Sequence, residues 1–567
     1  MTTHIPPRPS FSRLTRLLTA GVATLLAATA VACSSEPETR DPKKVTRLIY
    51  AVPAPAQEAM NPNRDLAPGD EYQLKPLYEN LIGSDPKTGN WIPMLAESWR
   101  LEGTKLTFAL RKGVKFHNDK GELTAADVEY SYNDLVNPPG AISGVAEAMR
   151  AAVERIEIVD DYEIAFHLRQ TSYKFMEGLG YGSIGMAIKS KADAESRPST
   201  QLSLSDQPIA GTGPYQFLER TPGQRVVFKK VPYQHWRQDA GFEELEFRYI
   251  NENATRMSAL LAGEAHVTVL PDELTAEAAN QGAKVIRAAI PGRRIGLLLL
   301  GCYYKEPPGK DEKSADVFVS GQRKFPDSPM CDIKVRQAIN KAIDRDALNK
   351  AFYGGKAEAM TMWYWQPELP GFNPAWQQRW QELYGFDPEA AKRLIQEAGY
   401  SPGELRIEVA ASPDAGGPES ADVSEAVAGM LSDVGIDAPI VSLDYQKQKA
   451  GREAREYTAR IEFDSTSSEP ITGFEPQGYA NQDSGRAIED VALDTMYESV
   501  LVELDPARQA TLWQAFGDKV FEAVQHVPLL RIRDEALVDP AVVGDYTFPG
   551  AMNSERYAFV EYITPAG

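Results

Sequence analysis

A chain of 567 residues is too long for one hydrophobic core, since domains hold roughly 100–200 residues, so two or three packed units are expected. Hydrophobic residues at 43% and aromatic residues at 9% exclude overall disorder. A formal charge of −20 argues against nucleic acid as partner, which attracts basic surfaces; the acidity serves solubility, with attraction of cationic solutes as the second reading.

Arg8, Arg13 and Arg16 precede an apolar run over residues 17–31, and small residues lead to Cys33. A basic start, a short apolar stretch and small residues before a cut are the features of a secretory signal. The run falls short of the ~20 apolar residues that span a bilayer. Ala30-Val31-Ala32-Cys33 resembles the lipobox of bacterial lipoproteins, which implies a signal peptide over 1–33, acylation of Cys33 and a polar tether over 34–44. The protein is thus expected outside the cytoplasm, anchored to a bacterial membrane by its N-terminal lipid. Removing the signal makes the mature chain three charges more acidic. Cys302 and Cys331 then remain as an even pair in an oxidising compartment, and a disulfide is favoured over two buried thiols. It would clamp a polar excursion over 305–328.

The next elements follow in chain order. Residues 45–51 read as a strand, 54–66 as an irregular loop containing Met60-Asn61-Pro62, and 72–82 as a helix ending near Gly83. Over 105–111, Leu106, Phe108 and Leu110 alternate with Thr107 and Ala109, the period of a half-buried strand. Turn residues Asn118 to Gly121 follow. Thr124 with Asp127 three residues on forms a capping box, and Val128, Tyr132 and Leu135 share one face of the helix it opens. Ile156 and Ile158, the Asp160-Asp161 turn, then Ile164, Phe166 and Leu168 describe a hairpin. Gly211-Thr212-Gly213 has no Lys-Ser/Thr after it and reads as a tight backbone crossing, not a phosphate cradle.

Strand 246–250, helix 254–262 with Gly263 as its left-handed stop, and strand 267–270 make a βαβ unit, hence parallel pairing. Residues 294–300 form a near-continuous apolar strand, expected where both faces are covered. Asp332 caps a helix carrying Val335, Ile339, Ala342 and Ile343, and Asp387-Pro388 opens another that Gly399 ends. A strand over 405–410, a helix to Val434, Gly435 and a strand over 436–443 continue the alternation. Asp505-Pro506 starts a long helix, His526 to Leu530 returns as a strand, and a β-rich tail closes the chain.

The five histidines after the signal, His117, His167, His235, His266 and His526, have no metal-ligand spacing, and no HExxH, G-x-S-x-G or P-loop occurs. No enzyme, cofactor or metal is expected. A pair of glycosidase carboxylates stays open, because abundance of acids does not test it.

The words of the chain carry more. Leu95-Ala96-Glu97-Ser98-Trp99, then Phe116-His117, then Leu123-Thr124-Ala125 before Asp127-Val128, resemble the family 5 extracellular solute-binding proteins, the oligopeptide, dipeptide and nickel receptors of ABC importers. Gly211-Thr212-Gly213-Pro214-Tyr215, Tyr233 to Trp236, the stretch 335–348 and the stretch 387–400 are similar to the same family, and the likeness runs from about Val45 to Phe559. It implies an α/β, two-lobed periplasmic-binding-protein-like fold (type II, cluster C) with an additional α+β subdomain on lobe one. Lobe one is assigned to 45–81, 206–296 and 528–567, the subdomain to 82–205, and lobe two to 297–527. The hinge then falls at Leu300-Gly301 and Pro528-Leu529.

The implied function is capture of a small solute, a peptide by default, in an interlobe cleft, and delivery to permease subunits. An exported two-lobed hydrolase and a surface lipoprotein outside transport are the alternatives. Met60 and Asn61 match the family's loop beside the ligand. Trp363 and Trp365 are either ligand platforms or caps on a core edge. Peptide-binding relatives hold the ligand's ammonium with an Asp in W-x-x-D-x-x-D-P; here that Asp falls on Thr466, while Glu469-Pro470 matches the close. A hydroxyl cannot balance a buried ammonium. Asp464 or Glu469 is the substitute, or each is a solvated loop carboxylate.

Overall fold

The computed structural model describes residues 45–55, 58–62, 71–85, 90–137, 144–180, 185–202, 204–305, 323–412, 419–466, 471–474, 488–546 and 559–567. The expected Cys33, signal peptide and tether, and Glu469, lie outside them. No helix among the described residues is long and apolar enough to cross a membrane.

Two mixed sheets organise the chain. The first runs in the order Lys284–Arg287, Glu535–Val538, Val267–Thr268, Arg47–Val52, Glu244–Tyr249, Arg225–Lys230, Tyr215–Thr221. Arg47–Val52 is parallel to both its neighbours, the pairing that the βαβ unit predicts, and Gly263 stops the intervening helix Asn253–Ala262 at φ 72°. The second sheet runs Glu358–Ala359, His526–Ile532, Arg293–Leu300, Arg460–Thr466, Glu408–Ala411, Ile440–Ser442.

Arg293–Leu300 lies inside this sheet, antiparallel to the strands on both sides. Its odd positions Ile295, Leu297 and Leu299 enter a core with Val335, Ile339, Ile395, Val423 and Val427 from three helices. Leu298 and Leu300 enter a second, aromatic core on the opposite face, with Trp365, Trp376, Trp513, Phe516 and Phe521. Every residue of the strand after Arg293 is therefore buried. Its partner His526–Ile532 carries Pro528, which has no N–H to give; the ladder shifts register between Ile295 and Gly296 where it meets this proline.

The subdomain is a four-stranded antiparallel sheet, Ala96–Glu102, Lys105–Leu110, Glu163–Leu168, Val153–Asp160. Leu106, Phe108, Leu110, Ile164, Phe166 and Leu168 face helices Ala125–Val136, Gly144–Ala152 and Tyr173–Leu179. The Thr124–Asp127 capping box forms, with Thr124 N donating to Asp127 Oδ2 at 2.9 Å. Gly211 and Gly213 are the close crossing that their sequence suggests. A Cβ on either would lie 2.1 or 2.2 Å from the carbonyl oxygens of Leu77 and Pro76. That crossing also explains why the helix expected over 72–82 stops at Glu71–Leu74: the Pro76 and Leu77 carbonyls accept from Tyr215 N and Gly213 N instead.

The interlobe crossings differ from the expected hinge. Pro528 and Leu529 are interior to a strand of the second sheet, Leu300 is the last residue of its central strand, and Gly301 follows it where a Cβ would lie 2.2 Å from Thr458 O. A strand hydrogen-bonded along its length cannot be divided between two bodies. The chain passes between the sheets at residues 288–292 and at Arg533-Asp534, so the lobe boundaries move from 296/297 and 527/528 to these connections.

Cys302 and Cys331 are bonded, tying the end of the central strand to the start of helix Ile333–Ala342 across 29 positions. Replacing both by Ser is expected to lower unfolding free energy by about 3 kcal/mol from loop closure, read from the urea midpoint at constant slope. An unchanged midpoint would show that the loop is held by its other contacts.

Candidate functional site

Among the described residues two connections join the sheets, and charged groups fasten them. Arg533 Nε donates to Glu358 at 2.7 Å and its Nη1 to the Ala288 and Ala289 carbonyls. Lys356 of lobe two lies 3.7 Å from Glu535 of lobe one. Arg531 pairs with Glu368 at 2.6 Å and Glu358 at 2.8 Å.

The wall beside these crossings is the even face of the second sheet, at the end where its central strand begins and the two neighbouring strands finish. Register pairs Arg294 with Thr466, Gly296 with Asp464, and Leu298 with His526 and Glu462. Period two places all of them on one face. Gly296 has no side chain because Trp363 occupies its space: a Cβ there would meet the indole at 2.7 Å. Trp363 stacks on Tyr364 with centroids 6.0 Å apart and meets the His526 ring edge-on at 5.7 Å; Phe474 closes on His526 at 5.9 Å. Trp363 Nε1 and His526 Nε2 are buried with no hydrogen-bond partner among the described residues. The Arg294 guanidinium lies over Tyr364 at 5.6 Å, and Gln366, oriented to donate to Pro291 O, accepts from Arg294 Nη1 at 3.0 Å. This wall carries a half-buried carboxylate and hydroxyl, with the buried Arg294 guanidinium and the buried Trp363 and Tyr364 rings behind them. It holds no paired nucleophile and base, and no trio of His, Cys, Asp or Glu among the described residues could hold a metal.

Of the residues singled out from sequence, Trp363, Asp464 and Thr466 come together here, the last two half-buried. Trp365 does not. It stacks on Trp513 at 4.2 Å, donates from Nε1 to the Trp513 carbonyl and packs on Gly517, so it is the core of a helical layer. Met60 and Asn61 are likewise turned inward. Tyr78 Oη donates to the Met60 carbonyl at 3.2 Å, and Asn61 donates to Leu202 O while accepting from Lys189 Nζ, which pairs with Asp134. A polar side chain spent on a buried ion pair serves the junction of lobe one with the subdomain.

Arg294, Gln366 and His526 escape the sequence reading. The two neighbours of the central strand come from sequence far away, so only the register reveals that they share its face.

Another buried polar group lies in lobe one. Glu79 accepts from Thr212 Oγ1 at 2.9 Å and Trp236 Nε1 at 3.0 Å, with Arg237 at 3.5 Å and His235 at 3.6 Å. Burial would raise its carboxyl pKa, but Arg237, His235 and Trp236 outweigh that and hold it below the usual range. His117 and His235 each bond a carbonyl of the Gly-Thr-Gly segment, at 2.9 Å to Gly213 and 3.0 Å to Thr212. These histidines are fasteners. A cavity of about 260 Å³ beside them, lined by Lys115, Thr212, Tyr233 and Trp236, contains none of the wall residues.

The sequence matches the model of the bacterial extracellular solute-binding proteins, family 5, over residues 90–483. A dipeptide-binding protein of Escherichia coli (strain K12) is 26% identical over 454 residues, covering 75% of this chain and 77% of that one. HbpA2 from Haemophilus parasuis superposes with a TM-score of 0.70 at 21% identity, over 87% of this chain and 95% of that one. A dipeptide-binding protein from Pseudoalteromonas sp. SM9913 in complex with Met-Leu gives 0.63 at 21% identity, over 87% and 96%. The fold is that of two-lobed substrate-binding proteins.

Two buried imidazoles set a pH limit on this architecture. Burial lowers His117 from 6.5 to about 4, against its bond to Gly213, and lowers His526 to about 3. The unfolded chain therefore takes up these protons first. Stability is full above pH 6.5 and is lost as pH falls toward 4, with a slope reaching about 2.7 kcal/mol per pH unit for two protons. Urea titrations across that window should show His526→Phe removing about half the two-histidine contribution to the slope.

Proposed function

Because the chain belongs to the bacterial extracellular solute-binding proteins of family 5, we propose that it captures a peptide or peptide-like solute between its lobes and delivers it to the permease of an ABC importer. The observation that carries this is the wall at the start of the central strand. Two sheets joined by two short connections can rotate about them, and the face next to the connections bears Asp464 and Thr466 around Trp363 and Tyr364. Asp464 takes the ligand's ammonium in place of the family's Asp, Thr466 donates or accepts a neutral hydrogen bond, and the Trp363 ring supplies the apolar floor. Glu469 follows on the same segment as a second acid. The protein binds its ligand without transforming it, in keeping with a family of receptors. The names of the Escherichia coli relative and of the Met-Leu complex support a short peptide as the ligand. Acylated Cys33 keeps the loaded receptor at the membrane, and Cys33→Ser is expected to release it to the soluble fraction.

Thermal-shift screening of peptide, sugar and metal-chelate libraries tests the reading. A ligand at 100 times its Kd adds about 2.7 kcal/mol to the folded state. Asp464→Asn should weaken a peptide with a free amino terminus by at least about tenfold, or 1.4 kcal/mol, and leave its N-acetylated form unchanged. Equal weakening of both forms would remove Asp464 from that role. Stabilisation by sugars or chelates alone would overturn the peptide class.

A further inference from the structure

The subdomain touches more than lobe one. Its helix Tyr173–Leu179 has two faces: Phe175, Met176 and Leu179 enter the subdomain core, whereas Tyr173 and Glu177, four apart and so on one side, meet lobe two. Tyr173 is buried in the aromatic core of lobe two with Ile471, Phe474, Leu493 and Tyr497. Trp91 backs it at 5.4 Å and is itself seated on Gly180, where a Cβ would meet the indole at 3.0 Å. Two hydrogen bonds bracket the contact. Thr171 Oγ1 donates to the Val502 carbonyl at 2.6 Å, and Thr472 Oγ1 donates to Glu177 Oε1 at 3.0 Å. On the far side, Tyr497 Oη donates to the Ile471 carbonyl at 2.6 Å, fastening residues 471–474 to helix Val491–Val502.

None of these residues lies on a covalent crossing, so this is a second junction between the lobes, made without chain continuity. Ile471 follows Thr466 by five residues in sequence, so the lobe-two side of the contact comes shortly after the strand that carries Asp464 and Thr466. We propose that the subdomain is the jaw that closes on lobe two, and that Tyr173, Glu177 and Thr472 are positioning residues that set how much of the receptor is closed. The inference rests on the reading that the lobes trap a solute. A hydrogen bond of this kind shifts an equilibrium by roughly 2- to 10-fold, enough to alter retention without touching the ligand.

The test uses the mature chain with no added solute. Hydrogen–deuterium exchange is followed over 491–502 and over the subdomain strand 163–168 in wild type, Glu177→Ala, Thr472→Ala, the double variant and Tyr173→Ala. Each single variant should speed exchange over 491–502 by about 2-fold or more. The double should fall short of the sum of the two singles, since both remove the Glu177–Thr472 bond, and 163–168 should stay protected. Unchanged exchange over 491–502 in all variants overturns the jaw, as does equal loss of protection over 163–168, which marks subdomain unfolding. Adding Met-Leu afterwards separates the two ideas. Failure of the dipeptide to protect wild type counts against the peptide reading alone, while the solute-free result stands or falls without it.

Discussion

The antiparallel pairing of Arg293–Leu300 on both of its edges is the constraint from which the rest of lobe two follows. Its strand neighbours arrive from residues 460–466 and 526–532, and the outgoing and returning connections to lobe one leave from the same end of the sheet. Because side chains alternate, one strand divides its labour. Ile295, Leu297 and Leu299 hold three helices, and Arg294, Gly296 and Leu298 face the aromatic layer and the candidate ligand wall. A one-residue slip would send the apolar set to the wall and Arg294 into the core. The Gly296–Trp363 contact opposes such a slip, since only that position lacks a side chain where the indole lies.

Lobe one and its subdomain are joined differently, by buried polar groups. Lys189 and Asp134 of the subdomain with Asn61 of lobe one, and the His117 ring with the Gly213 carbonyl, occupy the junction. Removing one member of such a set strands a buried charge, so the set resists opening more than its net stabilisation suggests. Lobe one and the subdomain thus share a junction of buried, paired polar groups. Compliance is left to the two crossings, which are short, and to the contact of Tyr173 and Glu177 with lobe two, which is made of apolar surface and neutral-donor hydrogen bonds.

Local structure was legible wherever a short-range rule decides it. The Thr124 and Asp387 helix starts, the stops at Gly263 and Gly435, and the Gly211–Gly213 crossing each depend on a few adjacent atoms. Family resemblance added the two-lobed fold. The hinge was misplaced because its position depends on which sheet a strand joins. Pro528 looks like an end in sequence, yet its partners hold it inside a strand, and Leu300 ends its strand at the edge far from the crossings. Trp363 and Trp365 are two residues apart in one Pro-flanked loop and both are buried in the aromatic core; only the tertiary positions of Gly296 and Trp513 decide which part of it each fills. Asn61 turns toward a buried lysine that no local pattern announces, and Met60 is buried beside it in sequence.

This division of rigid and compliant parts bears on selectivity. A ligand shifts the open–closed balance only by the difference in its contacts with the two states. The jaw contact contributes to closure equally for every ligand, so it scales retention without discriminating. Under the proposed reading, discrimination belongs to the wall around Asp464 and Thr466. A receptor built this way can change its ligand by substitutions around the start of the central strand while keeping the same closing motion, because the residues that recognise and the residues that close lie on different elements.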